Sequence, residues 1–283
     1  MIKTWMTPWL LMAVPFLGAT LSLLLRTSLQ RMKTSALLTT VASMLVVIGT
    51  PWALGDTLAG VPFLCLLPLT AFLSLLGQPL HRDNTSAWTT TLVLLGLGLG
   101  ILTAQAPAHD VMLLILPGLL CILLYRYQSG ATPETWRGLS AYGLSMMSAA
   151  LALVLPTPAS TVALLVTCAT LLPLLPVHSG FIATLTGLPG NLPAFLVFLL
   201  PTVGFHTLLT LLPNLTVTTL HTVAILALAG AVYGSLRALI QARPLPRLSY
   251  AALAFFGLLW WYVADTGTAP MQATVYLSAV GLA

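Results

Sequence analysis

Charged residues are scarce in this chain. Of its 283 residues, only 5 % are Asp, Glu, Lys or Arg, whereas a soluble globular domain has about 25 %. Ten basic and five acidic residues cannot cover the water-facing surface of a protein of this length. The composition therefore excludes a soluble enzyme, and it also excludes a disordered or nucleic-acid-binding chain.

Cysteine is also scarce. Cys65, Cys121 and Cys168 stand singly within apolar stretches, with no CxxC or Cys/His spacing around them. Such isolated cysteines favour neither a disulfide nor a metal site, so we expect three buried, unreactive thiols. The sequence contains no binding motif for haem, flavin or an iron–sulfur cluster, and we expect neither a cofactor nor a metal.

What the chain does have is long apolar stretches. Hydrophobic residues make up 58 % of it, and the mean hydropathy is +1.02. A membrane-spanning helix needs about 20 mostly apolar residues. One apolar stretch, residues 271–283, is shorter than this and is not counted as a span. The predicted spans are 5–25, 35–54, 58–80, 87–105, 111–125, 139–155, 160–176, 190–212, 217–242 and 248–264.

These stretches are continuous in Leu, Ala and Val, without the alternation of apolar and polar residues that barrel strands show. In hydrocarbon, helices satisfy their own backbone hydrogen bonds. We therefore predict an all-α, polytopic transmembrane protein of about ten spans, with the lipid bilayer as its solvent.

The charged residues predict an orientation. Basic residues lie in the first, third, fifth and ninth predicted connections (Arg26, Arg31, Lys33, Arg82, Arg126, Arg137, Arg243 and Arg247). Acidic residues lie in the second and fourth connections and after the tenth span (Asp56, Asp110 and Asp265). Lys3, before the first span, is the one basic residue predicted on the same side of the membrane as these acidic residues. Because basic connections stay in the cytoplasm, we predict a multi-pass protein of the bacterial inner membrane with its N-terminus outside.

Proline and glycine occur within the predicted spans. Pro15, Pro68, Pro117, Pro173 and Pro201 each remove a backbone hydrogen bond and are expected to bend or break their helices. Gly96, Gly98 and Gly100 form a small-residue cluster that predicts close helix approach. It is not a phosphate-binding loop, since no strand precedes it.

Few ionisable residues lie at membrane depth, where a charge costs about 2.5–3.5 kcal/mol. The interiors of the first eight predicted spans contain no Lys, Arg, Asp or Glu. His206 either relays protons or is a neutral side chain bonded to a neighbour. Arg237 either extends toward the interface or pairs with a partner subunit. His178 lies just past a span end, and His221 is expected at the interface.

One region resembles a known family. The segments ATLLPLLPVHSGFI, LPG and PTVG are similar to the seventh and eighth helices of the antiporter-like membrane subunits of respiratory complex I. The same family includes subunits of cation/proton antiporters, membrane hydrogenases and inorganic-carbon uptake complexes. The matching residues are Pro173, Pro176, His178, Pro189 and Gly204, followed by Tyr233, Gly234, Ala238, Leu239, Gln241, Tyr250 and Gly257.

The resemblance implies a broken seventh helix and two inverted repeats. On that basis we expect a single transmembrane domain, 1–283, with peripheral spans at 1–110, a first repeat at 111–212 and an incomplete second repeat at 213–283. Members of the family have about fourteen helices in two such repeats, so this chain is expected to be a truncated, degenerate member.

The family's proton path uses a Glu on the fifth helix and Lys residues on the seventh and eighth helices. The matching positions here are Gly118, Leu171 and Thr202, and a loop Lys is matched by Leu245. The charged relay is thus missing. We expect no catalytic residue, and only His178, Thr202, His206 and Arg237 as a possible polar path.

These observations predict an accessory membrane subunit of a complex I-related, ion-coupled complex. It would be surrounded by other membrane subunits, would not pump protons, and would catalyse nothing by itself. One alternative is the membrane subunit of a cation-driven inorganic-carbon uptake complex, which works with a peripheral zinc protein. Another is a lipid-modifying enzyme using His81, Arg82 and Asp83, but three adjacent polar residues in a loop are typically solvated.

Overall fold

The structure is a computed structural model that describes residues 2–54, 61–127, 133–266 and 271–282. Within these ranges the chain is helical apart from short connections, and it contains no strand. The helices are α1 (Ile2–Leu24), α2 (Leu29–Leu54), α3 (Val61–Gly77), α4 (Thr85–Thr103), α5 (Ala108–Tyr127), α6 (Pro133–Val154), α7 (Ala159–Leu171), α8 (Ser179–Gly187), α9 (Leu192–Leu211), α10 (Val217–Ile240), α11 (Pro244–Thr266) and α12 (Met271–Leu282).

The predicted fold class is confirmed. Each of the ten predicted spans overlaps one helix, α8 lies between the seventh and eighth predicted spans, and the short final stretch forms α12. Six of the described helices are each long and apolar enough to cross a membrane, namely α2, α4, α5, α9, α10 and α11. Asp56, which supported the predicted orientation, lies outside the described residues.

The seventh span differs from its predicted limits of 160–176. Helix α7 ends at Leu171, residues 172–178 are not helical, and α8 occupies 179–187, which the sequence assigned to a connection. Pro173 and Pro176 donate no backbone hydrogen bond, which explains the end of α7. The helix resumes at Ser179, and the broken seventh helix implied by the resemblance is present.

Three helices begin four or more residues before their predicted spans. Helix α2 begins at Leu29, α6 at Pro133 and α11 at Pro244, so Arg31, Lys33, Arg137 and Arg247 lie on helices and not in connections. The predictions followed apolar composition alone. A helix continues past its apolar part because its backbone hydrogen bonds do not depend on side-chain polarity.

Four of the five prolines do not break a helix. Pro15, Pro68, Pro117 and Pro201 all lie inside continuous helices. Of the predicted bend or break, a break is therefore absent at these four positions, and among the five only Pro173 lies at a break. Membrane helices tolerate proline because neighbouring helices and side chains satisfy the freed backbone groups.

The chain divides into two compact units, residues 1–112 with 189–199, and residues 113–188 with 200–283. In the first unit, α1 packs on α2 and α4, and α3 packs on α2 and α4. A core cluster joins these four helices through Ala19, Met32, Ala36, Leu75, Trp88 and Leu92. The glycines of α4 lie against Phe16, Leu199 and Met12, which agrees with the predicted close approach.

Polar contacts gather at one end of this first unit. Lys33 Nζ donates to the carbonyl oxygens of Leu76 and Gln78, and thereby caps the last turn of α3. Ser74 Oγ donates to the Asn191 carbonyl over 2.7 Å. Gly190 turns the chain into α9 with φ +62°, a backbone conformation that favours glycine. The connections before α2, after α3 and before α9 therefore share one end of the unit.

In the second unit, α6 packs on both halves of the broken helix, and α11 packs on α8, α10 and α12. Helices α10 and α11 form the tightest pair, because two glycines bring their backbones together. A Cβ atom on Gly234 would lie 2.8 Å from the Tyr250 carbonyl oxygen, and one on Gly257 would lie 2.8 Å from the Ala227 carbonyl oxygen.

Replacing Gly257 by Ala is expected to lower the free energy of unfolding by about 1–3 kcal/mol, since the new methyl group would contact rigid backbone. Gly230→Ala on α10 is the matched control, because its Cβ would meet nothing closer than Leu175 Cγ at 3.7 Å. Unfolding in mixed micelles titrated with sodium dodecyl sulfate, followed by circular dichroism, measures both. Equal stabilities of the two variants would contradict this packing.

Candidate functional site

The buried polar side chains of the described residues carry almost no charge. Most are Ser or Thr hydroxyls, and the remainder are Gln78 and His109, with no Lys, Arg, Asp or Glu among them. His109 Nδ1 lies 2.9 Å from Asp110 Oδ1. The candidate site must therefore be built from hydroxyls, backbone carbonyls and the few partly exposed ionisable groups.

A cluster of hydroxyls joins α6 to α7. Ser148 Oγ and Thr167 Oγ1 share a hydrogen bond of 2.9 Å. Thr170 Oγ1 donates to Ser145 Oγ over 2.7 Å, and Thr167 Oγ1 donates to the Ser145 carbonyl over 3.2 Å. All four side chains are buried. In hydrocarbon, hydroxyls that bond across helices fix the helix contact, with an average of about 0.6 kcal/mol per bond.

A second contact holds α8 on the same helix. The Tyr142 hydroxyl and Thr184 Oγ1 share a hydrogen bond of 2.8 Å, and both residues are fully buried. Ser179 Oγ donates to the Arg137 carbonyl over 3.0 Å. Residues 137–142 of α6 thus hold α8, and residues 145–148 hold α7. Helix α6 therefore contacts α8 with its first half and α7 with the residues that follow, and so supports both halves of the broken helix.

The break itself is enclosed by two other helices. The Leu172 carbonyl, freed where α7 ends, accepts a hydrogen bond of 2.9 Å from Trp260 Nε1 of α11. Gly204 of α9 lies so close that a Cβ there would be 2.6 Å from Leu172 N. Leu172 and Trp260 are almost completely buried. The backbone at the break is therefore held by an indole donor on one side and by a glycine contact on the other.

The positions that match the family's relay lie in apolar surroundings or at the surface. Leu171 and Thr202 are 0 % exposed, and Thr202 Oγ1 has no hydrogen-bond partner. Gly118 is half-buried, and its nearest neighbour would be Met146 Sδ. Leu245 is 52 % exposed at the start of α11. None of the four positions offers a group that carries charge.

Two of the four candidate polar-path residues lie in one aromatic cluster. The rings of His178 and Tyr233 meet edge to face, with centroids 5.4 Å apart, and Tyr233 meets Tyr250 at 6.1 Å. Arg237 Nε donates to the Tyr233 hydroxyl over 3.3 Å. His178 Nδ1 is buried without a hydrogen-bond partner. We call His178, Tyr233, Arg237 and Tyr250 the Arg237 cluster.

The other two candidates lie one turn apart on α9. Thr202 is fully buried and His206 is half-buried. In the part of the chain that the structure describes, no hydrogen bond or ring contact links Thr202 to the Arg237 cluster. A continuous polar path through all four residues stays a prediction.

The other residues singled out from the sequence lie as follows. Cys168 is buried as predicted, whereas Cys65 and Cys121 are half-buried, so the expectation of full burial was wrong for those two. His221 is exposed near the start of α10. His81 and Arg82 are exposed as well.

Sequence reasoning missed the hydroxyl cluster and the Trp260 donor. Ser and Thr are common where membrane helices pack, so their presence alone does not single out these four residues. A signal was present, since Ser145 and Ser148 are three residues apart, as are Thr167 and Thr170, and this spacing places each pair on one helix face. Nothing in the sequence linked Trp260 to a carbonyl 88 residues away.

No protein-family model matches the sequence, and no curated protein matches it either. In fold, the chain is similar to a chain of the membrane-bound sulfane sulfur reductase, an archaeal respiratory membrane complex. That match has a TM-score of 0.73 and 14 % identity, and it covers 91 % of this chain and 64 % of the archaeal one.

It is also similar to a chain of respiratory complex I from Thermus thermophilus. The match has a TM-score of 0.75 in the structure with bound NADH and 0.72 in that with bound aureothin, at 19 % identity in both. It covers 96 % of this chain and 68 % of the Thermus chain. The chain has the fold of a complex I membrane subunit. It spans about two thirds of the length of the chains it matches.

Removing the indole donor tests the enclosure of the break. Trp260→Phe is expected to lower the free energy of unfolding by about 1–3 kcal/mol, because it leaves the buried Leu172 carbonyl unpaired. Trp261→Phe is the matched control, since Trp261 is 37 % exposed on the neighbouring position of the same helix. Unfolding in detergent measures the difference, and equal losses would show that the hydrogen bond does not stabilise the break.

A double-mutant cycle tests the α6–α8 contact. We expect Tyr142→Phe and Thr184→Ala to couple by about 0.6–1.7 kcal/mol, the range seen for hydrogen bonds between membrane helices. Pairing Tyr142→Phe with Thr186→Ala should give no coupling, because Thr186 bonds only to its own helix at Ile182. Coupling of similar size in both cycles would contradict a specific bond between Tyr142 and Thr184.

Proposed function

We propose that this chain is a structural membrane subunit of a complex I-like respiratory complex, which braces the assembly and does not itself move protons. The observation that carries the proposal is the composition of the interior. Among the described residues, the buried polar groups are hydroxyls, one amide and one histidine, and no lysine or carboxylate is among them.

The fold supports membership of such a complex. Two chains of similar fold come from respiratory complexes, one archaeal and one from Thermus thermophilus. Both are parts of assemblies with many subunits, so other membrane subunits are the expected partners of this chain. The resemblance at residues 168–257 points to the antiporter-like subunits within such complexes.

The chemistry of the interior supports the absence of pumping. Moving a proton across a bilayer requires a series of titratable groups at membrane depth, and coupling it requires a lysine whose pKa a neighbouring carboxylate shifts. Leu171 cannot titrate, and the hydroxyl of Thr202 does not ionise near neutral pH. The hydroxyl cluster of α6 and α7 bonds within itself, which suits a static support of the broken helix.

The location follows from the same reasoning. The proposed location is a bacterial inner membrane with the N-terminus outside, since the basic residues lie in alternate connections or in the helix turns beside them. In the first unit, the connections before α2, after α3 and before α9 meet at one end, as this alternation requires.

Substitution of the polar α9 residues tests the proposal. In complexes that still assemble, Thr202→Ala and His206→Ala are expected to leave ion coupling unchanged, because neither residue belongs to a charged relay. Thr210→Ala, at an exposed position of the same helix, controls for a general effect of hydroxyl loss. Ion translocation per substrate turnover in proteoliposomes is the measurement. Loss of coupling in assembled complexes would refute the proposal.

The companions of the chain test its assignment to a respiratory complex. Purification in a mild detergent, followed by mass spectrometry, should identify quinone- or hydrogenase-type subunits together with longer antiporter-like chains. Deletion of this chain should lower the amount of assembled complex while coupling per complex is retained. A soluble zinc protein as the main companion would favour inorganic-carbon uptake and contradict the assignment.

A further inference from the structure

The Arg237 cluster holds a guanidinium in a fixed place near the end of α10. Arg237 Cζ lies 5.7 Å from the ring centre of Tyr233 and 5.6 Å from that of Tyr250. Its Nε donates to the Tyr233 hydroxyl over 3.3 Å, and His178 supports the same tyrosine ring by an edge contact. Two ring faces and one hydrogen bond restrict an otherwise flexible side chain.

The cluster has hydrogen-bond donors to spare. Arginine carries five N–H donors, and the one on Nε is the donor that bonds to Tyr233. The hydroxyls of Tyr233 and Tyr250 interact with each other and with the guanidinium, so the donors left for an outside acceptor are the remaining guanidinium N–H groups. Glu134 acts electrostatically on Tyr250, but no carboxylate of the described residues forms an ion pair with Arg237. The positive charge is thus not neutralised within this part of the chain.

Along α10 and α11, the neighbouring residues add positive charge and no negative charge, and the carboxylate that acts on the cluster from another helix is Glu134 of α6. Arg243 lies in the turn between α10 and α11, Arg247 lies in the first turn of α11, and both are exposed. The sequence from 217 to 264 contains no Asp or Glu. This end of the α10–α11 pair therefore attracts an anion.

Exposed leucines flank the same cluster. Leu236 and Leu239 on α10 are 60 % and 75 % exposed, and Leu248 on α11 is 65 % exposed. In a membrane these side chains contact acyl chains, while the arginine lies one turn from the helix end, where lipid headgroups begin. A ligand that contacts both the arginine and the exposed leucines must carry an anionic group attached to a hydrocarbon chain.

We propose that the Arg237 cluster binds the phosphate of an anionic phospholipid. The remaining N–H groups of the guanidinium donate to the phosphate oxygens, the two tyrosines hold the guanidinium in place, and the acyl chains lie along Leu236, Leu239 and Leu248. Basic pockets between membrane helices bind anionic lipid headgroups in this way, and a charge-assisted bond to phosphate is about twice as strong as a neutral one. The assignment is independent of whether the chain moves protons.

Native mass spectrometry of the full chain with added lipid tests the site. The wild type is expected to bind phosphatidylglycerol more tightly than phosphatidylcholine, and Arg237→Gln should weaken phosphatidylglycerol binding about tenfold. Arg243→Gln is the matched control, since it removes an exposed arginine without ring contacts, and it should change the affinity less than about twofold. Displacement of the lipid by inorganic phosphate would support recognition of the headgroup phosphate.

A second variant guards against misfolding of the first. Tyr233→Phe combined with Tyr250→Phe keeps both rings and removes both hydroxyls, and it should weaken phosphatidylglycerol binding about threefold. Unchanged binding by both variants would overturn the proposal, as would equal wild-type affinity for the two lipids or binding of free phosphate without lipid preference. If Arg237→Gln loses a companion subunit and retains its lipid, the charge belongs to a protein interface and the proposal is wrong.

Discussion

Hydrocarbon offers no hydrogen bonds, and this constraint governs the structure where its helix is broken. Residues 172–178 interrupt a membrane helix, and the backbone groups freed there must find partners within the protein. Trp260 donates to the Leu172 carbonyl, and Gly204 brings α9 against the same residue. The hydroxyls of α6 then hold the two helical halves on either side. The break is thus a supported element of the fold.

The same constraint bears on function. An interior that must satisfy every polar group internally can hold either charged groups with paired partners or neutral groups that bond to each other. Among the described residues this protein uses neutral ones, from Ser145 and Thr170 in the second unit to Ser22 and Ser35 in the first. The chain thus has the helix architecture and the broken helix, with no lysine or carboxylate among its described buried residues. In the proposed function, the absence of such groups among the described buried residues is the reason that the chain does not pump protons.

The sequence predicted the fold class and the broken helix, because composition and proline placement depend on local chemistry. It misjudged where the helices begin, as at Leu29 and Pro133, since hydropathy marks the lipid-facing part of a helix and not its ends. Pro68 and Pro117 do not break their helices, because neighbouring helices and side chains in a membrane protein satisfy the backbone groups that proline frees. The Trp260–Leu172 bond and the Arg237 cluster depend on helix packing, which one sequence does not reveal.

The most direct test of the central claim is proton flux through the purified chain by itself. The protein would be reconstituted in vesicles that contain a pH-sensitive dye, and a pH gradient and a potassium diffusion potential would be imposed. The account predicts a flux equal to that of empty vesicles in both cases. A flux above that of empty vesicles which His206→Ala abolishes would show that the interior carries protons, and would contradict the account.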